Sequence, residues 1–177
     1  MAIGINVTKG VHDEGESKFF GSPAVPADWV DEFDENVIFM CQINLNDIAE
    51  LDKDNVLPHN GYMYIFLDTV DYPYQPIVRF SEAEPDTVID DFNDIDDEFA
   101  PLTEGWKMTF SEVADDSEGI RLFGAPKGWA YEEKPPKLLM QYDPLSTEMP
   151  FLDSVDGYAY LFYDGGLDDV SLYLDRT

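Results

Sequence analysis

Residues 61–68 read GYMYIFLD and residues 157–164 read GYAYLFYD. Five of the eight positions are identical, and after the glycine the identities Tyr62/Tyr158, Tyr64/Tyr160, Phe66/Phe162 and Asp68/Asp164 recur at every second residue. A period of two places them on one face of a β-strand. The other face, with Met63, Ile65 and Leu67 in one copy and Ala159, Leu161 and Tyr163 in the other, is apolar in both. Each strand is therefore expected to be covered on both sides, and the pair reads as an internal duplication.

Working outward, the repeat extends in the same order through both halves. FGSP at 20–23 matches FGAP at 123–126, each shortly after a base, Lys18 or Arg121. FMCQI at 39–43 and LLMQY at 138–142 are apolar runs interrupted by Gln42 or Gln141, which read as paired buried strands. Residues 3–8 resemble 106–111 before the FG turn, and 77–80 resemble 170–174 at the end. The offset between copies falls from 103 residues at the turns to 99 at the glutamines and 96 at the tyrosine strands, as small loop deletions produce. This pattern predicts a single, predominantly β domain over 1–177, with a first repeat 3–81, an acidic connecting segment 82–104 and a second repeat 105–175. It predicts two pseudo-twofold-related, antiparallel-rich sheets of about four strands each. Short helices are expected at 46–51, after an Asn cap, and at 85–92, with Pro85 in the first turn.

Composition narrows the function classes. Ten Lys plus Arg against 38 Asp plus Glu give a net charge of −28 over 177 residues. Such a field repels nucleic acid and anionic lipid and favours a basic protein partner, although general solubility or salt adaptation produces the same excess. No run is apolar enough to span a bilayer and residues 1–10 lack a signal peptide's apolar core, so a cytoplasmic protein is expected. One cysteine, Cys41, allows no intramolecular disulfide and no multi-cysteine metal site. Residues 82–98 carry nine acids and no base. The apolar Val88, Ile89, Phe92, Ile95 and Phe99 suggest that this segment docks on the body.

The SKFFGSP turn, the FMCQINL and GYMYIFLD strands and their echoes RLFGAP, LLMQ and GYAYLFYD together resemble the bacterial YwqG-like family, a domain of unknown function, from about Ser17 onward. The resemblance implies an α+β, internally duplicated fold and supplies no catalytic residues. It also implies an association with toxin systems, as an immunity protein. The chain is compressed between Phe110 and Gly119 relative to typical members.

Catalytic signatures are missing: there is no HExxH, GxSxG, Walker or GxGxxG pattern, and two histidines exclude a three-His metal site. Cys41 with His12 or His59 could form a thiol and base pair, but a small hydrophobe is expected within VIFMCQI. A calcium loop aligned on Asp94, Asp96 and Glu98 puts Phe99 at the required glycine and Gly105 at the final glutamate, which excludes an EF-hand. No catalytic residue, metal or cofactor is expected. The leading expectation is a non-enzymatic module that contacts a basic protein through Asp86, Asp90, Asp91, Asp94, Asp96, Asp97 and Glu98. The rival is a small-molecule binder or enzyme with a pocket between the repeats, lined by Gln42, Gln141, Tyr62, Tyr64, Tyr158, Tyr160, Lys18 and Arg121. In a purely structural reading the glutamines satisfy backbone groups, the tyrosines pack, and Lys18 and Arg121 pair with Asp68, Asp164 or another acid.

Overall fold

The structure is a computed structural model, and the described residues are 1–11, 13–129, 134, 136–150, 152 and 157–176. Among them run the strands β1 (Ala2–Lys9), β2 (Lys18–Phe19), β3 (Ala24–Val25), β4 (Val37–Asn44), β5 (Tyr62–Asp68) and β6 (Gln75–Ser81). The second half of the chain adds β7 (Thr87–Val88), β8 (Trp106–Val113), β9 (Arg121–Leu122), β10 (Lys137–Tyr142), β11 (Gly157–Tyr163) and β12 (Val170–Arg176). Strands β3 and β7 form a two-stranded ladder, and the other ten form one sheet in the order β12-β11-β10-β9-β1-β8-β2-β4-β5-β6.

This corrects the expectation of an α+β fold with two sheets of about four strands each. The order reads the same from either end when strands are replaced by their repeat equivalents: β12 for β6, β11 for β5, β10 for β4, β9 for β2 and β1 for β8. The first strand of each copy pairs with the other copy's pre-FG strand. Ile3 and Gly4 of β1 face Leu122 and Arg121, while Trp106 and Lys107 of β8 face Phe19 and Lys18. The amide of Ile5 donates to Ile120 O at 2.8 Å, and its equivalent Met108 donates to Ser17 O at 2.9 Å. The strands that receive this exchange, β2 and β9, are two residues long, too short to show a period in the sequence.

The helical segments among the described residues are 3-10 turns, at Ala27–Trp29, Leu45–Asp47 and Asp97–Thr103. The second of these overlaps the expected helix at 46–51. Residues 85–92 form no helix: Thr87 and Val88 make the strand β7, as the successive β-branched Thr87, Val88 and Ile89 favour, and residues 90–92 turn, with Asp91 at a φ of 56°. Residues 86–89 pair with the first FG segment through Asp86 N to Val25 O at 3.3 Å and Ile89 N to Pro23 O at 3.0 Å. The acidic segment does dock on the body: Ile89 and Phe92 pack against the aromatic core. Buried Asn93 receives the Phe39 amide at 2.7 Å and donates to Phe39 O and Leu102 O.

The chain divides into two compact units, Val7–Thr109 on the one hand and Met1–Asn6 with Phe110–Thr177 on the other. The divisions fall inside the exchanged strands β1 and β8. In the first unit, Tyr62, Tyr64 and Phe66 of β5 stack along one face and Trp29 meets Tyr64 edge-on at 5.1 Å. Gln42 of β4 is fully buried. Its Oε1 accepts the Ala24 amide at 3.0 Å, and its Nε2 donates to Glu14 O and Glu16 O, both at 3.0 Å. Tyr64 OH donates to Ala24 O at 2.7 Å, so both polar groups of one backbone residue after the FGSP turn are gripped from the core strands.

The second unit repeats this frame. Gln141 Oε1 accepts the Lys127 amide at 2.8 Å and Nε2 donates to Gly119 O at 2.8 Å, while Tyr160 OH donates to Lys127 O. Tyr158, Tyr160 and Phe162 stack as their counterparts do. The bulges also coincide, between Phe39 and Cys41 in β4 and between Leu138 and Met140 in β10. The turn itself explains the FG pair. Phe20 and Gly21 have φ of 53° and 75°, and Phe123 and Gly124 have 63° and 82°. Two consecutive left-handed residues are affordable only when one is glycine, and the phenylalanine bears a penalty of about 1–2 kcal/mol. It is held there because its amide donates to the core strand, Phe20 to Met40 O at 2.8 Å and Phe123 to Leu139 O at 3.2 Å.

Replacing Gln42 with Leu strands the Ala24 amide and two carbonyls inside the protein and is expected to cost about 2–4 kcal/mol in urea-induced unfolding, with Gln141→Leu similar. An unchanged midpoint in both variants would remove the glutamines from their role as struts.

Candidate functional site

Holding the carbonyls of Glu14 and Glu16 fixes the loop that joins β1 to β2, and Lys18 Nζ adds a third bond, to Glu14 O at 3.0 Å. The loop contributes Asp13, Glu14 and Glu16 to a cleft of about 680 Å³ in the unit Val7–Thr109. Pairing of β7 with β3 brings Glu84, Asp86 and Asp90 to the same cleft, and Asp47 makes the seventh carboxylate. Gly15, Ala24, Asn44, Tyr62 and Pro85 complete much of the remaining lining, and no Lys, Arg or His is among the described lining residues.

A polar chain orders this wall. Ser17 Oγ donates to Asp47 Oδ2 at 2.7 Å and accepts the Asn44 amide at 2.9 Å. Asn44 Nδ2 lies 3.4 Å from Tyr62 OH, which in turn points at Glu84 Oε2 at 3.4 Å. The Tyr62 phenol is pushed up to about 12, first by burial and then by the negative charges of Glu84, Asp47 and Asp13. Lys107 sits 3.3 Å from Glu16 and offsets part of the charge. Among the described residues no three His, Cys, Asp or Glu side chains converge to hold a metal ion. Acids spread along a cleft suit a ligand whose positive charge is spread as well.

Of the expected contact acids, Asp86 and Asp90 line this cleft. Asp91, Asp94, Asp96, Asp97 and Glu98 are exposed farther along the segment and lie outside the lining. Of the residues expected around an inter-repeat pocket, Tyr62 lines the acidic cleft, whereas Gln42, Gln141, Tyr64 and Tyr160 are fully buried clamps. Gln42, Tyr64 and Lys18 bond to residues 14–24, and Gln141, Tyr160 and Arg121 bond mainly to residues 117–127. Tyr158 stacks on Tyr160 at 5.9 Å. The donors of Lys18 and Arg121 go to carbonyl oxygens, those of Arg121 to Ser117, Phe123 and Ala125 as well as Gln141 Oε1. Asp68, expected to pair with a base, accepts the Val70 amide at 3.0 Å.

Cys41 is fully buried in β4, and burial pushes its thiol up, so it packs as a small apolar side chain. His59 lies 3.2 Å from buried Asp52, and His12 falls outside the described residues. The sequence reading missed Asp13, Glu14, Glu16 and Asp47, since membership of the cleft depends on the loop that Gln42 holds.

No family model and no curated protein matches this chain. Among the described residues no helix is long and apolar enough to cross a membrane.

Burial raises the phenols of Tyr62, Tyr64, Tyr142, Tyr158 and Tyr160. In the unfolded chain they ionise near pH ~10, so their contribution to stability is intact below that pH and is lost as pH rises above it. Burial lowers Lys18 instead, which adds stability as pH climbs toward the amine's ordinary value. An alkaline titration should therefore show these five tyrosines ionising in one cooperative step together with loss of near-ultraviolet circular dichroism. Smooth ionisation of all ten tyrosines near pH ~10 with the fold intact would contradict this.

Proposed function

We propose that this chain is a non-enzymatic interaction module that binds a basic protein through the acidic cleft of the unit Val7–Thr109. The observation that carries the reading is the cleft's seven carboxylates, contributed by three separate stretches of chain, with no basic residue among its described lining. Carboxylates gathered in a concave site focus the field of a protein that already carries −28, and a focused field accelerates the approach of a cationic partner. The partner's basic segment lies along the loop 13–16 and the docked segment 84–90. An inhibitor or immunity-type role agrees with the YwqG-like resemblance, since such a role requires binding and no chemistry of its own.

The cleft acids should dominate association, and the outer acids should contribute as a diffuse background. The triple variant Glu84→Gln, Asp86→Asn, Asp90→Asn is expected to slow association with a lysine-rich peptide on the order of tenfold at low ionic strength. The outer triple Asp94→Asn, Asp96→Asn, Asp97→Asn should slow it far less, and added salt should erase most of the difference. Stopped-flow rates that fall equally in both variants would take the cleft out of the interface.

A further inference from the structure

The two repeats differ at one place where their frames coincide. Residue 15 corresponds to 118 and residue 24 to 127, by the offset that also relates Lys18 to Arg121 and Phe20 to Phe123. In the second copy these positions are Glu118 and Lys127, whose side chains approach to 3.7 Å across the outside of the frame. In the first copy they are Gly15 and Ala24, and both line the acidic cleft. The backbone beneath is held alike in each: Gln42 takes the Ala24 amide and Gln141 the Lys127 amide. Tyr62 lies beside the one place and Tyr158 beside the other, each phenol raised by burial and by neighbouring carboxylates. The second copy therefore supplies an alkylammonium of its own where the first copy has only a methyl group, on a residue that is buried beside β7 and still borders the cleft.

We infer that the first-repeat cleft takes a lysine side chain of the partner in the gap between Gly15 and Ala24, in the place where Lys127 reaches over Glu118 in the second repeat. This rests on the cleft being the binding site and specifies what enters it. Recognition then occurs once per chain, because the second copy is closed by its own ion pair. A Cβ at Gly15 would meet Pro85, Asp13 and Tyr62 OH at 3.6–3.7 Å, which is ordinary contact, so the absence of a side chain there is not demanded by the fold.

The test moves the second copy's pair into the first. The double variant Gly15→Glu, Ala24→Lys leaves net charge unchanged, so a loss of binding cannot come from charge alone. Calorimetric titration of the full chain with hexalysine at low ionic strength should give one peptide per chain for the wild type. The double variant should bind on the order of tenfold more weakly. Should it fail to fold, Gly15→Gln fills the same gap without a charge and should weaken binding comparably. Wild-type affinity in the filled variants, with weakening in Glu84→Gln, Asp86→Asn, would leave the cleft as the site and overturn the lysine's place in it. No effect of Glu84→Gln, Asp86→Asn would overturn the cleft itself.

Discussion

A primary amide in an apolar strand has an acceptor oxygen and two donor hydrogens to satisfy, and in this protein those demands organise the chain around them. Gln42 binds one amide after the FG turn and two carbonyls in the loop before it, so it fixes both flanks of the turn from within the core. Gln141 spans the second turn likewise, binding the Lys127 amide after it and the Gly119 carbonyl before it. The loop it holds there is also tied by Arg121, whose guanidinium reaches three carbonyls, where the ammonium of Lys18 reaches Glu14 O. A buried cation is tolerable when oriented carbonyl dipoles replace its water, and acids nearby, Glu14, Glu16 and Asp13 for Lys18 and Asp115 and Asp116 for Arg121, favour the charge. The cleft of the first unit is thus shaped from the core outward, since the carbonyls that Gln42 and Lys18 hold belong to residues whose carboxylates line it.

Much of the frame was legible because duplication made it so. Identities on alternate residues of β5 and β11 located those strands, and equal placement of Gln42 and Gln141 marked them as struts. The exchange of first strands was not legible. Residues 3–8 and 106–111 are alike, so nothing in either distinguishes pairing within a copy from pairing across copies. The two-residue strands that receive them carry no periodicity. The docking of the acidic segment was foreseen from its apolar residues, but the short strand within it turned on the run Thr87, Val88, Ile89 outweighing the proline ahead of it.

Of the site, sequence yielded the charge and one wall. Asp86 and Asp90 stood in a segment whose composition drew attention to it, while Asp13, Glu14, Glu16 and Asp47 are scattered acids in a chain that holds 38. What set them apart was residues without bulk: Gly15 and Ala24, where the other copy has Glu118 and Lys127. Divergence between repeats kept one side open and covered the other, so an arrangement with nearly symmetric bones presents an asymmetric surface.

The exchanged strands bear on how the chain acquires its fold. Ile3 has its ladder partner at Leu122, so during synthesis β1 leaves the ribosome long before the residues it will pair with exist. Strands β4, β5 and β6 pair in sequence and are free to form early, while the strand at the chain's beginning must wait. Loop-closure entropy makes such distant pairing slow. The waiting β1, with Ile3 and Ile5 destined for burial, is the segment for which a nascent-chain chaperone would have most to do.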